Sequence, residues 1–154
     1  MKGTNMSRIA MVVLSAALLV SPVYGASKLI SVPSAQSAKV TLDKLEALAQ
    51  ARGLKVFARI DHTAGAQSIG EKLRPTELMI MGNPKGGTPL MQCNQAYGID
   101  LPLHVLAWED AAGKSWLSYK DLSKLGNKHA DDSCDAALKR LTGALEGLVT
   151  EAAK

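Results

Sequence analysis

Apolar residues along the chain change their spacing several times, and each change marks an element. Leu42, Leu45, Leu48 and Ala49 recur at helical spacing after Ser37, whose hydroxyl can cap free backbone N–H groups. Gly53 is placed to stop that helix. Ahead of it, Lys28 to Val32 reads as a first strand that Pro33 and Ser34 end. Lys55 to His62 alternates, with Val56, Ala58, Ile60 and His62 on one face and Phe57, Arg59 and Asp61 on the other. Ala64 to Leu73 predicts a short helix. Thr76 to Met81 is apolar on both faces, the pattern of a central strand.

The stretch Met81 to Met91 crowds glycine and proline together and reads as a rigid turn closing that strand. Thr88 can then cap a short helix with Pro89 in its first turn, and Gly98 ends it. Leu103 to Glu109 and Lys114 to Tyr119 alternate around Asp110-Ala111-Ala112-Gly113, which predicts a hairpin. A final helix from Asp132 nearly to Lys154 carries the stripe Cys134, Leu138, Leu141, Leu145, Leu148 and Ala152. The order is strand, helix, four strands with short helices in some connections, helix. It predicts an α+β fold with one mainly antiparallel sheet and both long helices on one face.

The N-terminus changes the picture of address. Lys2 and Arg8 precede the apolar run Ile9 to Val20, Pro22 breaks it, and Val23-Tyr24-Gly25 offers a cleavage site before Ala26. Residues 1–25 are expected to be a signal peptide, residues 26–154 one domain, and the product periplasmic or secreted. The run falls short of the roughly 20 apolar residues that a membrane span needs, so no span is expected after its removal. It also takes two cations and no acid with it, leaving a nearly balanced chain of 16 Lys and Arg against 14 Asp and Glu. With scattered lysines and only six aromatics, no basic stripe suits nucleic acid.

Export also bears on the cysteines. Cys93 and Cys134 are an even count in an oxidising compartment, which argues for one disulfide. Cys134 opens the stripe of the last helix, and Leu90, Cys93 and Tyr97 recur on one face of the short one. A bond between them would staple the two helices.

Candidate chemistry is sparse. Gly82 and Gly87 have the spacing of a phosphate loop, but Thr88 stands where its lysine must be. His62, Asp100 and His129 could serve as acid–base or metal-binding residues, provided the fold brings them together. No H-x-x-x-H or C-x-x-C spacing says that it does, and no motif requires a cofactor. Arg74 can clamp backbone or capture an anion, and Asn83 can brace the turn or face a ligand. The backbone at Gly86 and Gly87 would border a shallow pocket. Met79, Met81 and Met91 read as core. His104 alternates with Leu106 and Trp108 on a face read as packed by a helix or by a second copy.

Several of these motifs occur in one order: Ile60-Asp61-His62, Leu73-Arg74-Pro75-Thr76, Gly82-Asn83-Pro84, Gly87-Thr88-Pro89-Leu90-Met91 and Asp100-Leu101-Pro102-Leu103. Glu109-Asp110, Gly113-Lys114 and Lys128-His129 follow. Together, from about Thr41 to His129, they resemble the bacterial and archaeal family called domain of unknown function 302. The resemblance implies a β-α-β4-α domain that tends to form homodimers. It brings no reaction, because the family's biochemical function is not established. Met81 stands where a phenylalanine is common, and Lys128 where an arginine is common, which would weaken bidentate anion binding there. The leading expectation is a small-ligand or anion-binding module of the cell envelope. An enzyme built on His62, Asp100 and His129, and a structural partner-binding protein, are the alternatives.

Overall fold

The structure is a computed structural model and describes residues 29–125 and 134–154. The expected signal peptide at residues 1–25, Lys128 and His129 lie outside the described residues. Strand β1 is Leu29–Ser34, helix α1 Ala38–Ala51, strand β2 Lys55–Asp61 and helix α2 His62–Ser68. Strand β3 is Thr76–Gly82, helix α3 Pro84–Cys93, strand β4 Leu103–Glu109, strand β5 Ser115–Lys120 and helix α4 Asp135–Ala152. Short 3-10 turns at Gln95–Ile99 and Leu122–Lys124 fill two connections.

The strands form one sheet in the order β1-β5-β4-β3-β2, every neighbour antiparallel. Side chains alternate across it. Met79, Met81, Leu103, Val105, Ala107, Leu117 and Tyr119 are buried on the side that α1 and α4 cover. Leu42, Leu45 and Ala49 of α1 meet them, with Leu138, Leu145, Leu148 and Val149 of α4. Both long helices therefore lie on one face, as the segregated pattern predicts. Leu141 alone of the predicted α4 stripe stays half-buried.

The opposite face carries Ala58, Ile60, Leu78, Ile80, His104, Leu106, Trp108 and Trp116, none fully buried. Trp108 stacks on Trp116 across β4 and β5 at 6.3 Å, and its Nε1–H donates to Ser118 Oγ at 2.7 Å. His104 belongs to this face, away from the long helices.

Local chemistry sets the boundaries. Ser37 Oγ accepts from Val40 N–H and caps α1, while Gly53 at φ +76° ends it. Pro33 sits inside β1 rather than after it, which an edge strand tolerates because one side of its ladder is free. The register of β2 on β3 slips between Val56 and Ala58, a bulge. β2 stops one residue short of His62, because the Asp61 carboxylate accepts from Ala64 N–H at 2.9 Å and turns the chain into α2.

The glycine-rich stretch differs most from expectation. It is helical from Pro84, four residues before Thr88, with Asn83 as its cap. Asn83 Oδ1 accepts from Lys85 N–H at 2.8 Å, and Pro84 occupies the first helical position, where a missing N–H costs nothing. Pro89 is thus an interior proline of α3.

Candidate functional site

A cleft of about 710 Å³ opens where α3, α4 and the ends of β2, β3 and β4 converge. Its floor is Leu145 and Leu148 of α4 with Leu103 of β4. Its sides are Leu54, Phe57, Met91, Leu101, Pro102 and Leu141, so the walls are mostly apolar. The half-buried Leu141 belongs to this cleft, which explains why the α4 stripe is not covered throughout.

Glycines make the space. A Cβ at Gly86 would stand 3.7 Å from Leu141 Cδ1, and one at Gly87 3.3 Å from Leu101 Cδ1. A Cβ at Gly82 would stand 3.3 Å from Phe57 Cε2. The backbone donors here are taken: Gly86 and Gly87 N–H donate to Asn83 C=O at 3.0 and 3.1 Å, and Lys85 N–H to the Asn83 side chain. Gly86 and Gly87 thus shape the pocket and offer it no free N–H. Asn83 lines the cleft and also braces it, its Nδ2 donating to Gly53 C=O at 2.6 Å.

Three cations line the cleft, Arg52, Lys85 and Arg140, with no acid among its described lining residues. Arg52 pairs with Glu151 at the helix ends. Lys85 and Arg140 make no ion pair among the described residues. A disulfide joins Cys93, at the end of α3, to Cys134, just before α4, with Cα atoms 5.6 Å apart. It ties together the two helices that flank the cleft.

The other candidates fall elsewhere. Arg74 Nε donates to Glu109 C=O at 3.0 Å and clamps the entry of β3 to the end of β4. His62 is exposed at the start of α2, at that same end of the sheet. Asn83 and the cleft lie beyond the other end of β3, about 20 Å away for a strand of that length. Asp100 is buried before β4, at the cleft's end of the sheet, with Lys120 Nζ 3.5 Å from its Oδ1. His62 and Asp100 are therefore not brought together, because the Asp61 cap diverts the chain at the far end. His129 lies outside the described residues.

Asp100, His104 and Lys120 meet at a small indentation instead. Burial, then the Lys120 charge, push the His104 pKa down and favour neutral imidazole. Among the described residues no group of three His, Cys, Asp or Glu side chains could hold a metal ion.

Arg52, Phe57, Lys85, Arg140 and Leu141 are among the cleft residues that sequence reasoning missed as site residues. Their signal was faint: a cation beside a glycine pair, and a stripe leucine with an arginine before it.

The fold is a five-stranded antiparallel sheet with its long helices on one side and a cleft at one end. The chain belongs to the family "Domain of unknown function DUF302", whose profile matches residues 30–148. The crystal structure of an uncharacterized conserved DUF302 protein from Bacillus stearothermophilus superposes with a TM-score of 0.74. That match covers 82% of this chain and 98% of the other at 16% identity, so it bears on the fold alone. The chain is also 45% identical over 127 residues to "Fluoride-specific ion channel FluC 1" of Brucella suis biovar 1 (strain 1330). It is 45% identical over 127 residues to "Fluoride-specific ion channel FluC 2" of Brucella melitensis biotype 1. These alignments take in 81% of this chain but 49% and 46% of the relatives, so the chain spans about half their length. Among the described residues no helix is long and apolar enough to cross a membrane.

Proposed function

We propose that this protein is a small-ligand-binding module for an anion, and that the cleft between α3 and α4 is its site. The observation that carries the reading is a pair of exposed cations at an apolar cleft. Lys85 and Arg140 line a concave, largely apolar cleft with neither an ion pair nor a lining acid among the described residues. A pocket of this size, apolar with a few placed polar groups, is the usual form of a small-molecule site. An enzyme needs converging acid–base groups, and His62 and Asp100 lie at opposite ends of the sheet, which favours binding over catalysis.

We place the module in the cell envelope, released from its signal peptide between Gly25 and Ala26, on the pattern of its first residues. Intact mass of the exported protein should begin at Ala26. A homodimer closed over the open face around Ile80, Leu106 and Trp108 is part of the same proposal, since a contiguous apolar face invites cover. Light scattering should give twice the mature chain mass. The longer relatives are named as ion channels; on this reading their matched half is an accessory binding module.

Native mass spectrometry of gently purified protein tests the function. A bound small molecule should accompany the wild type and be absent from Gly86→Leu, whose side chain enters the cleft beside Leu141. An unliganded wild type that also fails to bind in a broad screen of anions would overturn it.

A further inference from the structure

The lining of the cleft narrows the ligand class, on the footing that the cleft is a binding site at all. We infer that the ligand is a single-chain aliphatic acid, its hydrocarbon lying along α4 and its anionic head, carboxylate or phosphate, held at the rim by Lys85 and Arg140. Three observations carry this.

The first is the chemistry of the walls. Phe57 is the only aromatic side chain in the described lining, and the floor and sides are Leu, Met, Pro and Ala. Recognition of an aromatic or planar ligand draws on stacking faces, which this cleft scarcely offers. Leucine and methionine side chains suit a flexible aliphatic chain. The second is the placement of charge. Gly86 on α3 approaches Leu141 on α4, whose Cδ1 lies 3.7 Å from its notional Cβ. Lys85 on α3 and Arg140 on α4 both line this same cleft, and both are exposed. Both are cations, so an acid group sitting between them completes an ion pair that the protein lacks among its described residues. A guanidinium matches a carboxylate or a phosphate through two parallel hydrogen bonds. The third is the occupied backbone. The N–H groups of Lys85, Gly86 and Gly87 already donate to Asn83. A compact anion that relies on a cradle of free N–H groups has none here, and an amphiphile that needs only side-chain cations does.

Calorimetry with the mature, disulfide-bonded protein tests the inference, using decanoate, octyl glucoside as an uncharged chain, decyl phosphate as an alternative head, and acetate as a head without a chain. Decanoate and decyl phosphate should each bind at least tenfold more tightly than octyl glucoside, acetate should not bind measurably, and the tighter of the first two identifies the head group. Lys85→Ala with Arg140→Ala should weaken decanoate at least tenfold and leave octyl glucoside unchanged. Ala144 lines the cleft from α4 and is exposed to solvent, so Ala144→Phe should block decanoate, with near-ultraviolet circular dichroism reporting an unchanged fold; Gly86→Leu serves as a second blocking variant. Equal binding of octyl glucoside overturns the anionic head group. A different molecule lost from the cleft on Gly86→Leu, with neither decanoate nor decyl phosphate bound, overturns the ligand class and leaves the binding function standing. No ligand of any kind overturns both.

Discussion

The side-chain amide of Asn83 bonds to the backbone of Gly53, Nδ2 to C=O at 2.6 Å, across 30 positions of sequence. The same amide's oxygen caps α3 through Lys85 N–H. One residue thereby joins the end of α1 to the start of the helix that walls the cleft. Asn83→Ala should cost about 1–2 kcal/mol, the sum of a lost cap and a lost tertiary hydrogen bond. Asn83→Asp keeps the cap acceptor and sets a carboxylate against Gly53 C=O, so it should recover only part of that loss. Urea titration of the three proteins gives the comparison; an alanine variant as stable as the wild type would remove the brace from the account.

Arg59 on β2 should be the most sensitive charged residue. Its guanidinium reaches Glu77 with two bonds, at 2.7 and 3.0 Å, and also Asp43 and Glu46 of α1 at 2.7 and 2.8 Å. These hydrogen bonds, Glu77's first, hold its pKa above the ordinary arginine range. Arg59→Ala leaves three carboxylates crowded around an empty centre and should cost about 2 kcal/mol, less at high salt. Arg59→Lys should sit between, having no fork to match Glu77. Thermal unfolding at low and high ionic strength checks both parts.

Acid should weaken the β4–β5 turn. Asp110 accepts from Trp116 Nε1–H at 2.8 Å and from Ala112 and Lys114 N–H at 2.9 Å. Those bonds, the indole's first, hold its pKa below the ordinary 3.8. A carboxylate whose folded pKa is depressed adds stability that is present above its unfolded pKa and lost as pH falls through the folded one. The contribution is therefore complete near neutrality and fades below about pH 4. Asp110→Asn should remove this part of the acid sensitivity, read by Trp116 fluorescence during acid titration.

Opening the disulfide should loosen the cleft as well as the fold. Cys93 and Cys134 are 41 residues apart, so the bond is worth roughly 4 kcal/mol in the chain-entropy model. Cys93→Ser with Cys134→Ser should lower the unfolding midpoint accordingly. Hydrogen exchange in α3 should speed up more than exchange in β4, because the bond anchors the end of that helix. Uniform acceleration across the domain would mean that the bond acts on the unfolded chain alone.

Much of the scaffold was legible because its signals are local. Ser37 and Gly53 bound α1, Asp110 to Gly113 turn the hairpin, and the apolar stripe of α4 faces the core, all from spacing and turn chemistry. A short helix was legible after the glycine stretch, but the start of α3 was not. Asn83-Pro84 and Thr88-Pro89 are both good helix starts five positions apart, and the contact to Gly53 that favours the first lies 30 residues away. His62 left the sheet because Asp61 could serve as either strand residue or cap, which alternation alone does not decide. Lys85 and Arg140 come to one cleft only through packing of α3 on α4, and no spacing in the sequence carries that.

Each free border of the sheet is interrupted. β1 carries Pro33, which has no amide hydrogen to offer a further strand, and β2 carries the bulge between Val56 and Ala58. A passing extended chain meets a broken row of donors and acceptors on either side, so the ladder stops at five. The domain is thus guarded against runaway cross-strand polymerisation, and at high concentration its self-association should end in closed pairs, with no growth into fibrils.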